Sequence, residues 1–80
     1  MQTIYIFGTR KGLAQIDFHA TTGRFYAVFC NEKLGNYHSP EQAAADLAHG
    51  YTFSHSSGID LTILGIPEDL EDWERIAYDK

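Results

Sequence analysis

One cysteine, Cys30, stands alone in the 80 residues. No disulfide can therefore close within the chain, and no CxxC pair exists to hold a metal or cycle redox equivalents. A lone thiol reads as a core residue of a protein kept in a reducing cytoplasm. No apolar run is long enough to cross a bilayer, and no membrane association is expected. The start, MQTIYIFG, lacks the basic n-region and cleavage site of a signal peptide. Lysine and arginine together number only six against eleven carboxylates, for a net charge of −5. So acidic a chain is a poor general ligand for phosphate backbones, which demand several cationic contacts. Proline occurs twice, at Pro40 and Pro67, and each marks the start of an element.

What is present points to one small α+β domain spanning residues 1–80. Five Phe, five Tyr and one Trp supply a single core and exclude disorder. A chain of this length buries roughly 60–65% of its unfolded surface. Thr3–Phe7 (TIYIF) is β-branched and aromatic throughout, as a strand requires. Gly8–Gly12 (GTRKG) turns the chain. In Leu13–Phe18, Ala14, Ile16 and Phe18 alternate with Gln15 and Asp17. HATTGR is a second turn, with Gly23 free to take positive φ. Arg24–Cys30 is a third strand, with Phe25, Ala27 and Phe29 on one face and Tyr26, Val28 and Cys30 on the other. Asn31-Glu32-Lys33 is read as a hairpin connection, and Leu34–Tyr37 as a short fourth strand.

The best-specified element is a helix over about residues 40–49. Ser39 can accept from a first-turn N–H, Pro40 suits N1, and Gln42 completes a capping box. Glu41 and His49 match the dipole, and Gly50 suits the left-handed C′ position. Ala43, Ala44, Leu47 and Ala48 share one face. The expected architecture is an antiparallel sheet of three to four strands on this capped helix, followed by a short C-terminal helix and an edge strand. Beyond Gly50, TFSHSSG is a polar loop anchored by Phe53. Asp60 caps a single turn over Leu61–Leu64. Pro67-Glu68-Asp69-Leu70 opens the short helix, with Leu70 and Trp73 turned inward. Residues 73–78 either continue the helix through Ile76 and Ala77 or form a strand that adds to a sheet edge, the strand being preferred. In either form the segment is expected to cover the Tyr26/Val28 face, which left bare would be an apolar patch of the kind that marks a partner surface.

The run Gly23, Arg24, Phe25, Ala27, then Leu34, Gly35, Tyr37, Ser39, Glu41, Ala43 and Ala44 resembles the last two strands and helix of AP2 or integrase-type DNA-binding domains. That resemblance implies a three-stranded sheet on one helix, with the opposite sheet face entering the major groove. It covers about a third of the chain. The equivalent face here offers Gln15, Asp17, Arg24, Tyr26, Val28 and Cys30, of which only Arg24 suits a phosphate or guanine. The chain also looks like small stand-alone bacterial or phage proteins.

Three functions follow in order. The charge is uneven: residues 1–35 carry Arg10, Lys11, Arg24 and Lys33 against Asp17 and Glu32, whereas residues 36–80 carry Arg75 and Lys80 against nine acids. The first reading is therefore a non-catalytic binding module. It offers Glu68, Asp69, Glu71, Asp72 and Glu74 to a protein partner with a basic surface, as phage inhibitors and immunity proteins do with similar surfaces. The second is a divergent nucleic-acid-binding domain using Arg10, Lys11 and Arg24. The third is a small hydrolase or metal protein built on His38, His49 and His55, with Ser54, Ser56, Ser57 and Asp60 near the last. The histidines lack the paired spacing of a zinc site. GTRKG lacks the strand–loop–helix context of a P-loop, and no G-x-S-x-G elbow occurs. No cofactor, metal or catalytic residue is expected.

Overall fold

A computed structural model describes residues 2–76. The strands are β1 (Gln2–Thr9), β2 (Gly12–His19), β3 (Arg24–Phe29), β4 (Glu32–Tyr37) and β5 (Glu74–Arg75), with α1 (Pro40–His49) between β4 and β5. The sheet is antiparallel throughout, in the order β4-β3-β2-β1-β5. The expected α+β class holds, with five strands rather than three to four. Each strand's period-2 pattern sends one set of side chains to α1 and the other set away from it. Ala14, Ile16, Ala27, Phe29 and Leu34 meet Ala43, Ala44 and Leu47 of α1, and all eight are buried. Alanine on the helix allows close approach to the sheet. Leu61, Leu64, Ile66 and Trp73 close the remaining side of this core.

α1 has the expected caps. Ser39 is extended, and its hydroxyl accepts from Gln42 N–H at 3.2 Å. Gly50 takes φ 72°, and the carbonyls left over at the helix end accept from Gly50 and Tyr51. Asp60 also caps as expected, over one turn of 3-10 helix at Leu61–Ile63.

Two bulges shape the outer strands. Pairing slips at Ile4 in β1 and at Leu34 in β4. Each bulged residue has its carbonyl free for a later segment: Ile4 accepts from Ile76 at 2.8 Å and Leu34 from Phe53 at 2.9 Å. The sheet's margins are thereby partly satisfied by the chain itself.

Five expectations need correction. Cys30 is not a core thiol; it is exposed, in a two-residue turn with Asn31. Both residues have positive φ, 49° and 68°, which matches a primed hairpin turn. Phe29 consequently pairs with Glu32, so Glu32 and Lys33 belong to β4 rather than to a connection. The C-terminal helix from Pro67 is only one 3-10 turn, Leu70–Asp72. A longer helix would stack like charges at i, i+3 and i, i+4 (Glu68 with Glu71 and Asp72, Asp69 with Asp72), which is unfavourable. Trp73 is already extended, at φ −94° and ψ 154°, to enter β5. Phe53 does not anchor its loop: it is 78% exposed, and His55 takes the inward place against Phe29, edge-on at 5.5 Å. Finally, the edge strand forms, but it pairs beside Tyr5 and Ile6 in the plane of the sheet and does not lie across Tyr26 and Val28. Ala77 and Tyr78 of that expected strand lie outside the described residues.

Candidate functional site

The acidic segment owes its shape to the residues it encloses. The Trp73 indole donates to Pro67 O at 2.8 Å, closing the segment into a loop. The Asp69 carboxylate accepts from Glu71 N–H at 3.1 Å and caps the turn. Trp73 is buried and packs against Phe7, with ring centroids 5.9 Å apart; Leu70 is half-buried beside the core. With the two apolar side chains turned in, Glu68, Asp69, Glu71, Asp72 and Glu74 are all exposed.

These five carboxylates do not form one array. Glu68, Asp69 and Glu71 join Glu41, from the first turn of α1, around a cleft of about 450 Å³ that also exposes Tyr5 and Leu70. Asp72 is outside the cleft lining, and Glu74 stands opposite Ile6 in the β1–β5 pair. Glu41 had no sequence signal as a site residue, because only the tertiary fold carries the helix start to the segment after Pro67. Glu68 also pairs with His49 at 3.3 Å. Arg75 lies over the Tyr5 ring, 6.0 Å from its centroid. Among the described residues, no lysine or arginine forms an ion pair with a carboxylate; the close contacts of that kind are made by the His49 and His55 rings.

The three basic residues named for nucleic acid are not one cluster. Arg10 and Lys11 occupy the β1–β2 turn, whereas Arg24 opens β3 opposite His19. The intervening length of β2 separates the two ends by roughly 20 Å. Gln15, Asp17, Arg24, Tyr26 and Val28 do share the face away from α1, while Cys30 is in the turn.

The histidines are likewise dispersed, and no group of metal-ligating residues occurs among the described residues. His38 is exposed. His55 is the ordered one. Its Nδ1 accepts from Ser57 N–H at 3.1 Å, so the neutral ring carries its proton on Nε2, facing Glu32 Oε1 at 3.3 Å. Glu32 also accepts from Ser56 N–H, and from Ser56 Oγ at 2.6 Å. These bonds hold the Glu32 carboxyl below its ordinary pKa, the Ser56 hydroxyl contributing most and burial opposing. Ser57 Oγ lies 2.8 Å from the same Nδ1, giving an acid–imidazole–hydroxyl chain. The Ser57 N–H already shares that lone pair, so the imidazole cannot take the hydroxyl proton without giving up a bond that shapes the turn. The chain of bonds fastens the loop to β4.

No protein-family model, curated protein or solved structure matched the chain. Function is therefore argued from the surfaces themselves.

Proposed function

We propose that the protein is a non-catalytic binding module, an inhibitor or accessory factor, that takes a basic side chain of a protein partner into the cleft of Glu41, Glu68, Asp69 and Glu71. The observation that carries the reading is the composition of that cleft: four acidic residues line it together with Tyr5 and Leu70. A lysine or arginine lays its aliphatic stem on apolar surface and keeps its head at the polar rim. The carboxylates accept from that head, with the charge-assisted geometry that favours arginine. The Arg75 guanidinium over the Tyr5 ring, 6.0 Å from its centroid, is a contact of the same kind and supports the reading.

The test is titration with an arginine-rich peptide, followed by amide chemical shifts. Shifts concentrate on Tyr5, Glu41 and residues 68–71 and disappear at high salt. Charge reversal at Glu68 and Glu71 weakens binding about tenfold or more. Asp69 is kept intact because it caps the turn. Unchanged affinity in the double reversal, or shifts spread evenly over all carboxylates, would sink the proposal.

A further inference from the structure

The sheet face turned away from α1 carries Val28, which is buried, among Thr3, Ile6, Gln15, Asp17 and Tyr26, which are partly exposed. Across its centre run Ile6, Gln15, Val28 and Lys33, in successive cross-strand pairs. The next row is Thr3, Asp17, Tyr26 and Asn36, and His19 and Arg24 close one end. Tyr26 is the aromatic ring of this surface. Lys33 Nζ lies over it, 5.5 Å from the centroid, and His19 meets it edge-on at 6.3 Å.

The charge of this side differs from that of the whole protein. Arg24 and Lys33 lie on the face, and Arg10 and Lys11 at its far end, against Asp17 and Glu74. Asp17 is engaged: Thr3 Oγ1 donates to it at 2.7 Å and Gln15 Nε2 at 3.2 Å. The remaining described carboxylates, Glu32, Glu41, Asp46, Asp60, Glu68, Asp69, Glu71 and Asp72, belong to the loops, the helix and the β4 margin. On the face itself Arg24 and Lys33 balance Asp17 and Glu74, and Arg10 and Lys11 of the adjoining turn give this side its cationic excess, whereas the other described carboxylates, on the cover, share their side with Arg75 alone.

We infer that this face binds single-stranded nucleic acid. The occupant follows from the chemistry shown. Cations spaced along the strands match a phosphate backbone, and the central tyrosine provides a stacking platform for a base once Lys33 swings from over the ring to a phosphate. The Arg24 guanidinium is steadied by Asn36 Oδ1 at 3.2 Å, keeping it beside the ring. The amide oxygen of Gln15 and the second carboxylate oxygen of Asp17, the one not bonded to Thr3 and Gln15, offer acceptors beside Tyr26 to the amino edge of a stacked base. A duplex hides base faces and leaves the tyrosine without a role. A protein partner has no equivalent need for cations strung along the strands. This inference is independent of the acidic cleft.

Fluorescence anisotropy with labelled oligo(dC) and a mixed-sequence RNA of the same length, at about 50 mM salt, tests it. Both single strands bind more tightly than a duplex of the same length. Tyr26→Ala weakens binding about tenfold or more, while Tyr26→Phe retains it. Above about 0.1 M salt, Lys33→Gln flattens the log-affinity against log-salt slope by about 0.7. Circular dichroism confirms that each variant folds, and Arg24→Gln provides a second loss on the rim should Tyr26→Ala not fold. No binding of either strand, a duplex bound as tightly, or indifference to both Tyr26→Ala and Arg24→Gln overturns the inference.

Discussion

Gly12 and Cys30 form the tightest sequence constraint in the fold, and a double-mutant cycle resolves its parts. Gly12 begins β2 at φ 150°, in a region that L-residues rarely adopt. A β-carbon built there would overlap Cys30 Sγ and touch the Phe29 ring at 3.5 Å. Gly12→Ala thus adds two costs. The backbone component is about 1–3 kcal/mol. The steric component is about 1 kcal/mol or more, because Cys30 has a single torsion with which to withdraw and would give up its 3.6 Å contact with Lys11 O. Together they remove about 2–4 kcal/mol from a stability of roughly 4–12 kcal/mol for a domain of this size. Cys30→Ala alone is nearly neutral, since the thiol is exposed and its bond weak. In the double mutant the steric component disappears and the backbone component remains, so a coupling of about 1 kcal/mol appears. Urea denaturation of the four proteins, compared at constant m-value, measures it. If Gly12→Ala matches the parent within about 0.5 kcal/mol, or if the two effects simply add, the close approach of the two turns is refuted.

Two further outcomes rest on other elements. Ser39→Ala removes the only side-chain acceptor that caps α1 in the described contacts; it costs about 1 kcal/mol, seen as a melting point lowered by about 4–8 °C, whereas Ser39→Gly costs a few tenths. Equal melting points for Ala and the parent would show that the cap is not made. Burial first, then the hydrogen bond to Asp46 and its charge, pushes the Tyr37 phenol up to about 12. Its ionisation in an absorbance titration comes well above the ordinary value near 10, and Asp46→Asn brings it part of the way back. Because the folded state favours the protonated phenol, this contribution to stability is complete below about pH 10 and is lost as pH rises toward 12. A Tyr37 that titrates near 10 in the folded protein contradicts the packing of its ring over Gly35, where a β-carbon would stand 3.1 Å from the hydroxyl.

The parts legible in sequence were those written in local chemistry. Ser39, Pro40 and Gly50 each satisfy a backbone need within their own turn, so the helix is found to the residue. The alternation of Ala14, Ile16 and Phe18 against Gln15 and Asp17 survives unchanged as the two faces of β2. The turn at Cys30-Asn31 was hidden because positive φ is normally signalled by glycine, and here neither residue is glycine. Phe53 misled for a different reason: an apolar side chain in a loop carries no information about burial, and backbone bonding to Leu34 holds the segment instead. The candidate site was half legible. The exposed acids after Pro67 are plain in sequence, but Glu41 reaches them only through the docking of α1. The cations of the sheet side could be sensed from the charge asymmetry along the chain, yet the neighbourhood of Lys33, Tyr26 and Arg24, one from each of three successive cross-strand rows, required the register of β3 with β2 and β4.

The charge segregation has a consequence that separates it from a merely acidic surface. The shorter extents of the domain are 22 and 18 Å. At physiological ionic strength the Debye length is about 8 Å, so carboxylates on the cover are screened before their field reaches the sheet face. At about 0.01 M salt that length is about 30 Å, and every carboxylate acts on whatever approaches either side. A polyanion on the sheet face therefore meets net repulsion only in dilute salt. Between about 0.01 and 0.1 M the loss of that repulsion opposes the loss of counterion release, and the affinity changes little. Above that range only counterion release remains, and the affinity falls along the usual single-strand slope. A basic peptide in the cleft behaves otherwise: the distant carboxylates help rather than hinder it, so its affinity falls continuously from the lowest salt upward.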